Sequence, residues 1–153
     1  MASVPALPDV TERLGYLLKH AQLRYAQLSA AALEPLGITG RQAAMLVVID
    51  GPDALSQQEI AAELGVDRTT MVALIDELVA AGLVVRRQHT ADRRRNVVEL
   101  TEVGRSTLRK ANARTAEADR EFLAPLSPTD AQRLRRLLRA AAVPAPDQVG
   151  QRA

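Results

Sequence analysis

The stretch LSQQEIAAELGVDRTTMVALIDELVAAGLV, Leu55 to Val84, contains two short amphipathic segments separated by a single glycine. Ser56 and Glu59 have capping-box spacing, in which the serine accepts from the backbone at Glu59 and the glutamate reaches back. That pair fixes where a helix begins. Ile60, Ala61 and Leu64 give this helix an inward face. Gly65 supplies the left-handed turn and Val66 plugs it. Asp67 caps a second helix whose Met71, Leu74, Ile75 and Leu78 point inward. Small Ala61 allows close crossing. These features spell a helix-turn-helix, whose second helix is the one offered to the DNA major groove.

After Gly82 the period changes. LVVRRQ and NVVEL read as two strands joined by the basic loop HTADRRR, so the helix-turn-helix is followed by a β-hairpin wing. Arg86 to Arg95 holds five arginines and one aspartate, a local +4 against a net charge of +2 for the whole chain. Beside a duplex, an arginine at the tip of such a wing enters the narrow minor groove, where negative potential concentrates.

Upstream, Val10, Leu14, Leu17, Leu18, Ala21, Tyr25 and Leu28 fall on one helical face, predicting a continuous helix from Asp9 to about Leu33 that Pro35 and Gly37 end. Thr39 caps the next helix, GRQAAMLVVID, which GPD closes. Downstream, Thr101 caps a long helix with Leu108, Ala111, Thr115, Ala118, Phe122 and Leu126 at three- and four-residue steps. Ser127, Pro128 and Asp130 start a last helix with Leu134, Leu137, Leu138 and Ala141 inward.

The wing carries a resemblance. Asp92, Arg94, Leu100 and Thr101 match the D-x-R-x-x-x-x-x-L-T signature of the MarR (multiple antibiotic resistance regulator) transcription factors, and the G-L-V-x-R-R of Gly82 to Arg87 precedes it. The likeness spans roughly residues 10 to 140. It implies a mainly α fold with a small β-hairpin wing: a winged helix-turn-helix at 38–100 between dimerisation helices at 9–36 and 101–143. Together these form one domain, 9–143, with disordered ends at 1–8 and 144–153. It also implies a homodimer on double-stranded DNA with a pseudo-palindromic operator, and release by a small phenolic or anionic effector. In the family, the arginine matching Arg94 enters the minor groove and the aspartate matching Asp92 orients it through a salt bridge. Ala73 stands where many relatives carry a basic residue, which leaves Arg68, Thr69 and Thr70 as the expected base readers. Arg93 and Arg95 are expected on phosphates. For the effector, Tyr16, His20 and Arg24, with Arg13 and Gln27 beside them, form a polar stripe on the first helix.

Other chemistries have little to stand on. With no cysteine there is no disulfide, thiolate catalysis or thiol redox sensing, and two histidines, His20 and His89, do not make a zinc sensor. No nucleophile or acid–base constellation sits at recognisable spacing, so neither an enzyme nor a cofactor is expected. The opening MASVPALPDV lacks a basic and then apolar leader, and no apolar run reaches the roughly 18 residues a membrane span needs, so a cytoplasmic protein is expected. A winged-helix module that sets its basic wing against an acidic protein partner remains the alternative; binding to random duplex DNA and its salt dependence separate the two.

Overall fold

The computed structural model describes residues 9–142; the expected ends at 1–8 and 144–153 lie outside that range. Six helices and one hairpin follow in order: α1 (Leu14–Leu33), α2 (Gly40–Ile49), α3 (Gln57–Leu64), α4 (Arg68–Ala80), β1 (Val84–Gln88), β2 (Asn96–Leu100), α5 (Glu102–Leu123) and α6 (Pro128–Ala142). The fold is mainly α with a two-stranded wing.

Every expected cap is present. Thr39 forms a capping box with Gln42 and Ser56 one with Glu59, while Asp67 accepts from the N–H of Thr70 and Thr101 from that of Gly104. Gly65 and Gly82, at φ +62° and +70°, end α3 and α4 in paired-bond turns. In the first, Val66 N–H reaches Ala61 O at 2.9 Å and Gly65 N–H reaches Ala62 O at 3.3 Å. In the second, Leu83 N–H reaches Leu78 O and Gly82 N–H reaches Val79 O, both at 2.9 Å. The 6→1 and 5→2 bonds require the glycine conformation and satisfy the last helical carbonyls. The two turns aim α4 across α3 and send the chain straight into the hairpin.

The core lies under the helix-turn-helix. Met45, Leu46, Ile60, Met71, Ile75 and Leu78 are almost wholly buried, joined by Leu33, Val84, Val98, Leu100 and Leu108. β1 and β2 pair antiparallel with Val84 opposite Leu100 and Gln88 opposite Asn96. The hairpin is also tied sideways, since Val98 N–H donates to Leu55 O at 2.9 Å, just ahead of α3. At its root, Leu83 O accepts from Thr101 N–H at 3.0 Å and from the Thr101 hydroxyl at 3.2 Å. A Cβ on Gly104 would lie 1.9 Å from that same oxygen, so only glycine lets α5 start this close.

Two expectations change. The first helix is not continuous: Asp9 caps a single 3-10 turn, Val10–Glu12, and Arg13 is extended at φ −74°, ψ 132° before α1 begins. Thr11 and Gly15, both weak helix formers, flank the break. Of the α6 leucines expected inward, only Leu134 is half-buried. Leu137 and Leu138 are 49% and 44% exposed, and α6 buries no residue. The apolar face at the start of α1 is similarly bare, with Leu14, Leu17 and Leu18 between 48% and 71% exposed.

Candidate nucleic-acid interface

At the start of α4, Asp67 accepts the Thr70 N–H at 2.9 Å and the Thr70 hydroxyl at 2.6 Å. These bonds, led by the hydroxyl, hold the Asp67 carboxyl below its ordinary range, so the cap stays charged. Of the three expected readers, Arg68 and Thr69 are exposed, whereas Thr70 is half-buried and has given its hydroxyl proton to the cap. The N-terminus of α4 therefore presents one long cation and one small hydroxyl to any ligand.

The arginines of the wing are divided in their use. Arg86 pairs with Asp76 on α4 and donates to Gln57 Oε1 at 2.7 Å. Arg87 pairs with Glu99 across the hairpin at 3.3 Å. Arg95, expected on phosphate, instead bends back to Glu59 on α3 and to Ala54 O. Among the described residues Arg68, Arg93 and Arg94 are exposed and form no ion pair. Arg68 and Arg94 line one groove of about 460 Å³ with Ser56, Gln57, Gln58 and Asn96. The sequence reading missed Gln57 and Asn96, and only their amide side chains, suited to base edges or phosphates, could have suggested them.

Asp92 makes a different contact from the expected ion pair. Its Oδ1 accepts the backbone N–H of Arg94 at 3.0 Å, and its carbonyl accepts the N–H of Arg95 at 3.0 Å. The aspartate thus heads a four-residue turn, Asp92 to Arg95, with Arg93 and Arg94 at its two central positions. Its contact with Arg94 is to the main chain and not to the guanidinium.

The polar stripe of α1 makes contacts within the chain. Tyr16 lies against His20 with ring centroids 4.0 Å apart. Arg24 donates to Phe122 O and Glu121 O at 3.3 and 3.4 Å and stands 5.3 Å over the Phe122 ring, so it closes the last turn of α5. Tyr16, His20 and Arg24 line neither of two neighbouring cavities. One, of about 350 Å³, lies among α1, α5 and α6 and is walled by Leu18, Phe122, Leu134 and Leu138, with Tyr25 and Arg135 at its polar edge. The other, of about 530 Å³, lies among α1, α2 and α5. Tyr25 borders both and donates to Asp119 at 2.9 Å. Burial first, and then this carboxylate, raise its pKa, so it remains a protonated donor.

A capped helix-turn-helix with a basic wing folded beside its second helix defines a winged helix-turn-helix protein. Residues 36–95 match the model of the MarR family. The chain is 31% identical to a putative transcriptional regulatory protein for the hcr operon of Thauera aromatica, over 84% of this chain and 82% of that one. Its structure matches CouR from Rhodococcus jostii RHA1 bound to p-coumaroyl-CoA with a TM-score of 0.79 at 29% identity, covering 93% of this chain and 100% of that one. It matches the CouR repressor bound to a 23-mer DNA duplex with a TM-score of 0.81 at 32% identity, covering 92% and 100%. The chain belongs to the MarR family of transcriptional regulators.

Proposed function

We propose that this protein is a homodimeric repressor that binds a pseudo-palindromic operator and releases it on binding a small effector. The observation that carries the DNA reading is the shared groove: Arg68 from α4 and Arg94 from the wing border one cleft, each without an ion-pair partner among the described residues. One cation sits where a recognition helix meets base edges, the other where a wing meets the minor groove. The complex of CouR with a 23-mer duplex supports DNA as the ligand.

Dimerisation is supported by the bare leucines of α1 and α6, which a second copy covers at once. Two recognition helices about 34 Å apart then read successive major grooves. For the effector, the CouR complex with p-coumaroyl-CoA supports an aromatic acyl or phenolic compound. The cavity among α1, α5 and α6 offers apolar walls with the Tyr25 hydroxyl and the Arg135 guanidinium at its edge, a suitable lining for such a molecule.

The test is selection of bound sequences from a random duplex pool, with sedimentation of the protein alone and of the complex. The expected result is one dyad-symmetric site bound by two chains and released by a phenolic compound. A binding site without dyad symmetry, or a chain that stays monomeric at micromolar concentration, counts against the reading.

A further inference from the structure

Three arginines of the wing are ion-paired within the chain, Arg86 and Arg87 on β1 and Arg95 next to the exposed tip. Its partner, Glu59, is itself immobilised. Glu59 Oε2 accepts the Ser56 N–H at 2.7 Å and the Ser56 hydroxyl at 2.8 Å, while the Glu59 N–H donates to Ser56 Oγ at 3.3 Å. A carboxylate fastened by its own capping box has few rotamers left, so the guanidinium it holds is placed as well. Arg95 in turn closes the turn, its N–H donating to Asp92 O at 3.0 Å. The neighbouring residue in that turn is Arg94.

We propose that Glu59 is a positioning residue for DNA recognition: through Arg95 it sets the wing turn against α3 so that Arg94 faces the groove lined by Arg68. The inference rests on the DNA-binding reading above. Its role is geometric, because the pair is 36% and 45% exposed and such pairs add little stability. Bulk electrostatics gives the opposite sign, since removing an acidic group close to phosphates strengthens binding to any duplex.

Glu59→Gln separates the two. Glutamine keeps the capping-box geometry and size and loses the charge that holds Arg95. Binding is measured on the selected operator and on a random duplex of equal length, in the wild-type and Arg94→Ala backgrounds, with circular dichroism of each protein. The expected result is operator binding weakened roughly three- to tenfold, random-duplex binding unchanged or tighter, and no effect of Glu59→Gln once Arg94 is absent. Arg95→Gln, which leaves the α3 cap untouched, is expected to lower the operator-to-random preference similarly, and adding Glu59→Gln to it is expected to lower it no further. Arg95→Gln by itself, with the α3 cap intact, decides the matter if Glu59→Gln loses helix. Operator binding as tight as wild type, an equal loss on both duplexes, or a full loss persisting without Arg94 overturns the positioning role. If the wild-type chain selects no sequence at all, the DNA-binding reading falls and the inference with it. A selected operator with an indifferent Glu59→Gln removes only the inference.

Discussion

The Asp92 carboxylate accepts the backbone N–H of Arg94, at 3.0 Å, and leaves the Arg94 guanidinium unpaired among the described residues. The acceptor is what matters, and its charge is secondary. Asp92→Asn keeps an acceptor at the same place and is expected to bind operator about as well as the parent. Asp92→Ala loses the turn and is expected to bind roughly fivefold more weakly, about 1 kcal/mol, despite its higher positive charge. Fluorescence anisotropy on the selected site measures both, and an asparagine variant as weak as alanine shows that an ion pair forms on DNA.

Arg68 and Arg93 are expected to differ in kind. Arg68→Ala is expected to cost about 1–3 kcal/mol on the cognate site and to relax preference at one base pair. Arg93→Ala is expected to weaken all sequences alike and to reduce the salt slope by about one unit. Titrations at four salt concentrations on cognate and single-substituted sites distinguish them; uniform weakening by Arg68→Ala makes it a phosphate contact.

The approach of Gly104 to Leu83 gives a stability prediction. An added methyl meets a carbonyl oxygen at 1.9 Å, and both partners are backbone, so one element must shift. Gly104→Ala is expected to destabilise by about 2–4 kcal/mol although alanine is the better helix former. Urea unfolding followed by circular dichroism reads the change, and a stabilised variant contradicts the close approach.

Glu59 carries a pH prediction. Bonds from the Ser56 backbone, then from Arg95, lower its pKa from 4.5 to about 2. A lowered carboxylate pKa stabilises the folded state fully above the ordinary value, and that contribution is lost as pH falls through the folded one. The α3 cap and the wing anchor are therefore expected to persist at pH 4 and to give way towards pH 2. A carboxyl-carbon NMR titration of Glu59 with a midpoint near 4.5 would falsify this.

Leu137, 49% exposed on α6, is expected to lie in the dimer contact. Leu137→Glu introduces a charge onto that face without touching the core of its own chain, so it is expected to leave helicity intact while shifting sedimentation towards monomer. A dimer of undiminished affinity places the interface elsewhere.

The caps were legible because their partners are three residues apart, as in Ser56–Glu59 and Asp67–Thr70, and such bonds are written in local spacing. The wing was legible from its switch to period two. Its anchoring was not, because Arg95 finds Glu59 thirty-six residues away and Arg86 finds Asp76 on another element, and nothing in a run of arginines says which ones turn inward. Asp92 was placed correctly at the tip, yet its bond to the main chain needed the turn geometry. The contacts of the polar stripe of α1 were hidden for the same reason: Arg24 bonds the end of α5, which sequence spacing on α1 alone does not reveal.

Leu83 O, receiving Thr101 and facing the bare Cα of Gly104, has a mechanical consequence. α5 has 22 residues, a rod about 33 Å long whose near end is riveted to the exit of the recognition helix and whose far end borders the cavity with Phe122. A tilt of the rod cannot be absorbed by sliding at that rivet, since the oxygen already touches the glycine. It is expected to swing the hairpin root instead, so that in the proposed dimer a displacement of an ångström or so beside Phe122 changes the pitch between the two copies of α4.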